Sequence, residues 1–171
     1  DASTKPVGTN SRDHFDAVAE TFGPGWNAPL LVTVDILEST NPVETMDDLS
    51  AAVAEIPGVA AVPLASPNEG ADTGLLRVIP EGGQNDPATT ELVHELRERA
   101  PDLEEQYGVS DIRVTGTTAI NIDTSERLAA ALLPFALTVA GLSIVLLMIV
   151  FRSIWVPIKA TAGFLLSVGA A

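Results

Sequence analysis

Apolar and polar positions alternate with two periods along the first 127 residues, then give way to a single uncharged run from Leu128 to Phe151. Ser11 to Phe22 places Phe15, Val18, Ala19 and Phe22 at i, i+3, i+4 and i+7, which predicts a short helix ended by Gly23-Pro24-Gly25. From Pro29 to Leu37 the apolar set Leu30, Val32, Val34 and Ile36 alternates with Leu31, Thr33 and Asp35, the period of a strand. Thr45 with Asp48 then has the form of a cap for a helix carrying Leu49, Ala52, Val53 and Ile56, closed by Pro57-Gly58. Strands are predicted over Val59–Leu64 and Thr73–Pro80, with Asn68-Glu69-Gly70 as the turn between them. Asp86-Pro87 reads as an N-cap followed by proline at the first helical position, opening a helix that runs to about Glu98 or Arg99. Ile112–Thr115 is the last predicted strand. From Pro29 onward the order is β-α-β-β-α-β, which predicts an α+β, ferredoxin-like (split βαβ) domain. Such a span can bury a modest core of its own.

The uncharged run is 24 residues long. As a helix it would extend roughly 36 Å, enough to cross a hydrocarbon core of roughly 30 Å with some tilt. Asp123 with Glu126 has the form of a capping box, so the helix is expected to begin near Thr124. Pro134 removes one backbone donor and is expected to kink it. Ala136, Ala140, Gly141 and Ser143 are small residues that let other helices approach. Arg152 and Lys159 flank a short turn, which the positive-inside rule assigns to the cytoplasm and the preceding domain to the outside. Ala160–Ala171 is apolar but too short to span, and reads as the truncated start of a further membrane helix. The chain begins at Asp1 without a methionine and stops inside that apolar run, so it is taken as a section of a longer, multi-pass protein.

Charge follows the same division. All 23 acidic residues and seven of the nine Lys/Arg lie at or before Arg127, leaving net −16 in front and +2 behind. An acidic front of this kind argues against nucleic acid as a partner and against docking on anionic lipid headgroups. With no cysteine, disulfides, thiol catalysis and cysteine-held metals are excluded.

Candidate chemistry is sparse. His94-Glu95-Leu96-Arg97-Glu98 is one residue from the zincin pattern, but Glu98 stands where the second histidine is needed and His14 is the only other one. A solvated helix face is the better account. Asn68–Gly74 lacks the spaced acidic ligands of a calcium loop. Gly23-Pro24-Gly25 lacks the spacing and the donors of a phosphate cradle and reads as a turn delivering Trp26 and Asn27 to the first strand. Asp47/Asp48 and Glu104/Glu105 are expected as solvated surface at helix ends. No catalytic, cofactor-binding or metal-binding residue is assigned, no cofactor is expected, and the chain is not expected to be an enzyme. Nor does any ionisable residue lie between Leu128 and Phe151 to serve as a proton relay.

Three stretches carry a resemblance. Phe22-Gly-Pro-Gly-Trp-Asn-Ala-Pro-Leu30 precedes the first strand, and Val114-Thr-Gly-Thr-Thr-Ala-Ile-Asn-Ile-Asp123 joins the last strand to the apolar run. Phe151-Arg-Ser-Ile-Trp-Val-Pro-Ile-Lys-Ala160 turns toward the next helix. Together they resemble the MMPL family of actinobacterial membrane transporters, within the resistance-nodulation-division superfamily. The resemblance implies two similar halves and twelve transmembrane helices, with an extracytoplasmic porter domain in each half. It implies proton-driven export of lipids or other hydrophobic molecules, with Asp–Tyr relay pairs on helices that this chain does not contain; Tyr107, the only tyrosine, is in the acidic domain and is not one of them. Implied partners are the lipid bilayer, the remaining helices, the second porter domain and a hydrophobic substrate. The expected organisation is a helical lead-in over 1–28, a ferredoxin-like porter subdomain over 29–116, a junction and transmembrane helix over 117–151, a cytoplasmic turn over 152–159, and the truncated helix over 160–171. The alternative is an extracytoplasmic sensor or envelope-assembly module on a polytopic anchor.

Overall fold

Strict alternation between residues 30 and 35 decides how the sheet forms. Leu30, Val32 and Val34 turn inward, none more than 2% exposed, while Leu31 and Thr33 stay half-buried on the opposite face. The fold is that of a computed structural model describing residues 2–151. The expected turn at 152–159 and apolar segment at 160–171 lie outside the described residues.

The elements are α1 (Asn10–Phe22), β1 (Leu30–Asp35), α2 (Pro42–Ala54), β2 (Val59–Pro67), β3 (Thr73–Pro80), α3 (Pro87–Tyr107), β4 (Ser110–Thr115) and α4 (Thr117–Phe151), with 3-10 turns at Ala2–Thr4 and Pro24–Asn27. The strands form one sheet in the order β2-β3-β1-β4, and every neighbouring pair is antiparallel. Register places Val32 opposite both Leu76 and Val114, so one face of the sheet is apolar across three strands. Met46, Leu49 and Val53 from α2, and Leu92, Val93 and Leu96 from α3, fill the space over that face. Each such fully buried side chain contributes roughly 1.5–3 kcal/mol relative to exposure. The chain divides into two compact units after Asp123.

Three element boundaries expected from the sequence need correction. Helix α2 begins at Pro42, not at Thr45, because Asn41 is the cap and proline occupies the first turn. There proline's missing N–H costs nothing. Thr45 instead shares a hydrogen bond with Ser39 through its hydroxyl. Helix α3 continues past Arg99 and through Pro101 to Tyr107, where Gly108 caps it in the left-handed conformation. Ala100 is buried, and Leu103 and Tyr107 pack against the core, which offsets the backbone bond lost at Pro101. The turn expected at Gly23-Pro24-Gly25 is a 3-10 turn over Pro24–Asn27. Finally, α4 begins at Thr117, seven residues before Thr124.

The Gly-Pro-Gly stretch has a packing reason. A Cβ on Gly25 would stand 1.6 Å from the carbonyl oxygen of Pro80, so only glycine lets this turn lie against the end of β3. Asn27 then donates from Nδ2 to the carbonyl of Phe15 at 2.9 Å, tying α1 to the turn.

Candidate functional site

The junction between β4 and α4 is built from a glycine, a buried helix face and one ion pair. Gly116 has φ +102, and a Cβ there would come within 3.2 Å of the Leu31 nitrogen. This conformation is open to glycine and strained for other residues, and it turns the chain from strand into helix with no intervening loop. Ile120 N–H donates to the Gly116 carbonyl at 3.0 Å, closing the first helical turn.

Spacing then selects the buried face. Thr118 is 2% exposed, Ala119 0% and Ile122 7%, and the latter two join the core cluster. Ile120 and Asn121, on the other side of the helix, are exposed. Asp123 follows Ile122 and meets Arg97 of α3. Arg97 donates from Nη1 to Asp123 Oδ1 at 2.6 Å and from Nη2 to Oδ2 at 2.9 Å. The same Nη2 also reaches the Val114 carbonyl at 3.3 Å. One guanidinium therefore joins α3, the last strand and the second turn of α4. Each side chain keeps about a third of its exposure, 35% for Arg97 and 36% for Asp123. The expected capping box at Asp123 and Glu126 does not start the helix; Asp123 lies in its second turn and serves the ion pair instead. A second stitch lies nearby, where Glu104 Oε1 accepts from the Ile112 N–H at 2.7 Å. Glu104 is thus not the merely solvated carboxylate expected of it.

Beyond Arg127, α4 changes character. Thr117–Val150 is long and apolar enough to cross a membrane, and its most apolar stretch is not buried among the described residues. Leu132, Leu133, Phe135, Leu137 and Leu142 are all exposed by 59% or more. The two hydroxyls between Leu128 and Val150 are satisfied within the helix: Thr138 Oγ1 donates to the Pro134 carbonyl at 2.8 Å, and Ser143 Oγ to the Val139 carbonyl at 2.7 Å. Internal satisfaction is what an apolar solvent demands of a polar side chain.

The remaining candidates stay apart. No group of three or more His, Asp or Glu side chains able to hold a metal occurs among the described residues. Glu95 is paired with Arg99 at 2.5 Å along one face of α3. The Asn68–Thr73 hairpin closes on itself: Asn68 Oδ1 accepts from the N–H groups of Asp72 and Thr73, and Asn68 Nδ2 donates to Asp72. Hydrogen bonds from Asn68, and then Thr73, hold the Asp72 carboxyl below its ordinary pKa. Asp47 and Asp48 fall in the middle of α2, on its exposed side, rather than at a helix end. The Arg97–Asp123 pair was missed because its partners are 26 residues apart; the only local signal is an arginine on the half-buried side of α3.

A model of the MMPL family matches residues 30–171. The chain is 42% identical over 174 residues to membrane protein YdfJ of Bacillus subtilis (strain 168), covering 99% of this chain and 23% of that protein. It is 33% identical over 172 residues to SCO6666 of Streptomyces coelicolor, covering 100% of this chain and 22% of that protein. The chain therefore spans less than a quarter of the length of these curated relatives.

Proposed function

The chain belongs to the MMPL family, and from that premise we propose that it is one section of a multi-pass exporter that moves lipids or other hydrophobic molecules outward at the expense of a proton gradient. The observation that carries the reading is the extent of the family match, which takes in both the α+β domain and the apolar helix that follows it. In this reading residues 29–116 are a ferredoxin-like porter subdomain outside the membrane. The antiparallel order β2-β3-β1-β4, with a helix after β1 and another after β3, supports that fold assignment. Residues 128–151 are the membrane-crossing part of α4, and the chain performs no catalytic step. Substrate passage and the proton relay belong to the longer protein as a whole.

Two measurements test this. The chain contains no cysteine, so Glu69→Cys in the exposed hairpin turn gives a single reporter once any cysteines elsewhere in the longer protein are replaced. A membrane-impermeant maleimide should label it in intact cells; labelling only after lysis would place the domain inside and sink the topology. The full-length protein in liposomes should move a fluorescent lipid when a proton gradient is imposed and stop when a protonophore collapses it. Lipid movement indifferent to the gradient, or none at all with a folded protein, would count against the transport reading.

A further inference from the structure

The outer surface of the α2/α3 layer holds a groove that the junction does not use. Its space is about 610 Å³ and stands open to solvent. Along the α2 wall stand Asp48, the adjacent Ala51 and Ala52 one turn further on, and Glu55, the C-cap, about one turn beyond them. The two alanines leave the wall open, and a carboxylate stands at each end. Seven residues of helix separate the carboxylates by about 10 Å along the axis, the length of a small molecule. Leu103 and Tyr107 of α3 supply an apolar floor and an aromatic ring, both half-buried.

Charge decides what could lie there. Arg99 is the one cation lining the groove, and it is already paired with Glu95 on its own helix. Asp48 and Glu55 are exposed and have no ion-pair partner among the described residues. The groove therefore keeps two uncompensated carboxylates above an apolar floor, in a front section of net charge −16 that raises the local concentration of cations. Tyr107 can also receive a positive group over its ring face.

We propose that this groove binds an amphipathic cation, one positive group on an apolar body about the size of an aromatic ring. The positive group lies near Asp48 and Tyr107, and the apolar body rests between the alanines and Leu103. This inference is independent of the export reading, because it concerns binding alone and its test involves no transport.

The test is a titration of the 171-residue chain in nonionic detergent with benzyltrimethylammonium, followed by amide chemical shifts. Saturable shifts should concentrate at residues 48–56 and 99–107. Asp48→Asn with Glu55→Gln should weaken binding at least about fivefold, and Tyr107→Leu, which keeps apolar volume, about threefold. Tetramethylammonium, lacking the apolar body, should bind more weakly than benzyltrimethylammonium, and benzenesulfonate should not bind. Both carboxylates are exposed, so the double variant should keep the wild-type spectrum away from the groove. Scattered or unsaturable shifts would overturn the proposal, as would unchanged affinity in the double variant or equal binding of the two ammonium ions. A lysine-rich peptide that shifts these amides while benzyltrimethylammonium does not would also overturn it, and would make the groove a protein-docking surface.

Discussion

Asp123→Ala should loosen the first two turns of α4 by an amount the ion-pair geometry allows to be estimated. Two charges near 4 Å attract by about 4 kcal/mol at an effective dielectric constant of 20, and by about 1 kcal/mol in bulk water. Arg97 and Asp123 each retain roughly a third of their exposure, so solvent screening, desolvation and the entropy of fixing two side chains reduce the pair toward the lower figure. The two-pronged geometry keeps it from vanishing. A coupling energy of about 1 kcal/mol follows, equivalent to about a fivefold change in local opening. The assay is a double-mutant cycle on Arg97→Ala and Asp123→Ala in the 171-residue chain in detergent, read by hydrogen exchange at the amides of Ile120 to Asp123. Arg97→Ala alone should cost more than Asp123→Ala, because it also frees the Val114 carbonyl. A coupling below about 0.3 kcal/mol, with both variants folded, would refute the claim that this pair holds α4 to the domain.

Three further outcomes follow from single residues. Gly25→Ala should destabilise the domain by about 2 kcal/mol or more, since its Cβ would meet the Pro80 carbonyl oxygen at 1.6 Å; denaturant unfolding followed at Trp26 would read it. Pro101→Ala should stabilise by about 1–2 kcal/mol, restoring a donor inside α3 while returning some freedom to the unfolded chain; a fall in the unfolding midpoint would contradict this. The Asp72 carboxyl should titrate below the usual aspartate range by carbon-detected NMR, and Asn68→Ala should move it back up. A folded pKa below the unfolded one stabilises the fold above the unfolded value, and the contribution is lost as pH falls through the folded one.

What could be read from the sequence was what neighbouring residues decide among themselves. The alternation of Leu30, Val32 and Val34 and the Asp86-Pro87 start of α3 are local signals, and Asp86 does accept from the Ala88 N–H at 2.9 Å. The Asn41-Pro42 start of α2 has the same form and was within reach of the same argument. Pro101 is a different matter. A local rule ends the helix there at a cost of roughly 3 kcal/mol for continuing, and only the docking of Ala100, Leu103 and Tyr107 on a core assembled from distant strands reverses it. The start of α4 was hidden for the same reason. Asp123 and Glu126 imitate a cap, whereas the actual start depends on Gly116 and on a face that becomes buried only once the sheet exists. The family resemblance stood on longer motifs and did not depend on these boundaries, which is why it survived errors of several residues in them.

Helix α4 itself constrains where a proton could pass. Its residues 117–123 are amphipathic, with Thr118, Ala119 and Ile122 buried, whereas from Leu128 onward no side chain is charged. Within that uncharged section the hydroxyls of Thr138 and Ser143 are bound to carbonyls one turn earlier on the same helix. They ask nothing of their surroundings and offer no group that ionises near neutral pH. A relay needs side chains that gain and lose a proton inside the membrane, and this section supplies none. If the proposed proton coupling holds, the protonatable groups are contributed by other helices of the longer protein. The Arg97–Asp123 pair lies before that uncharged section and outside any such relay: it ties the second turn of α4 to α3, and through the Val114 carbonyl to β4.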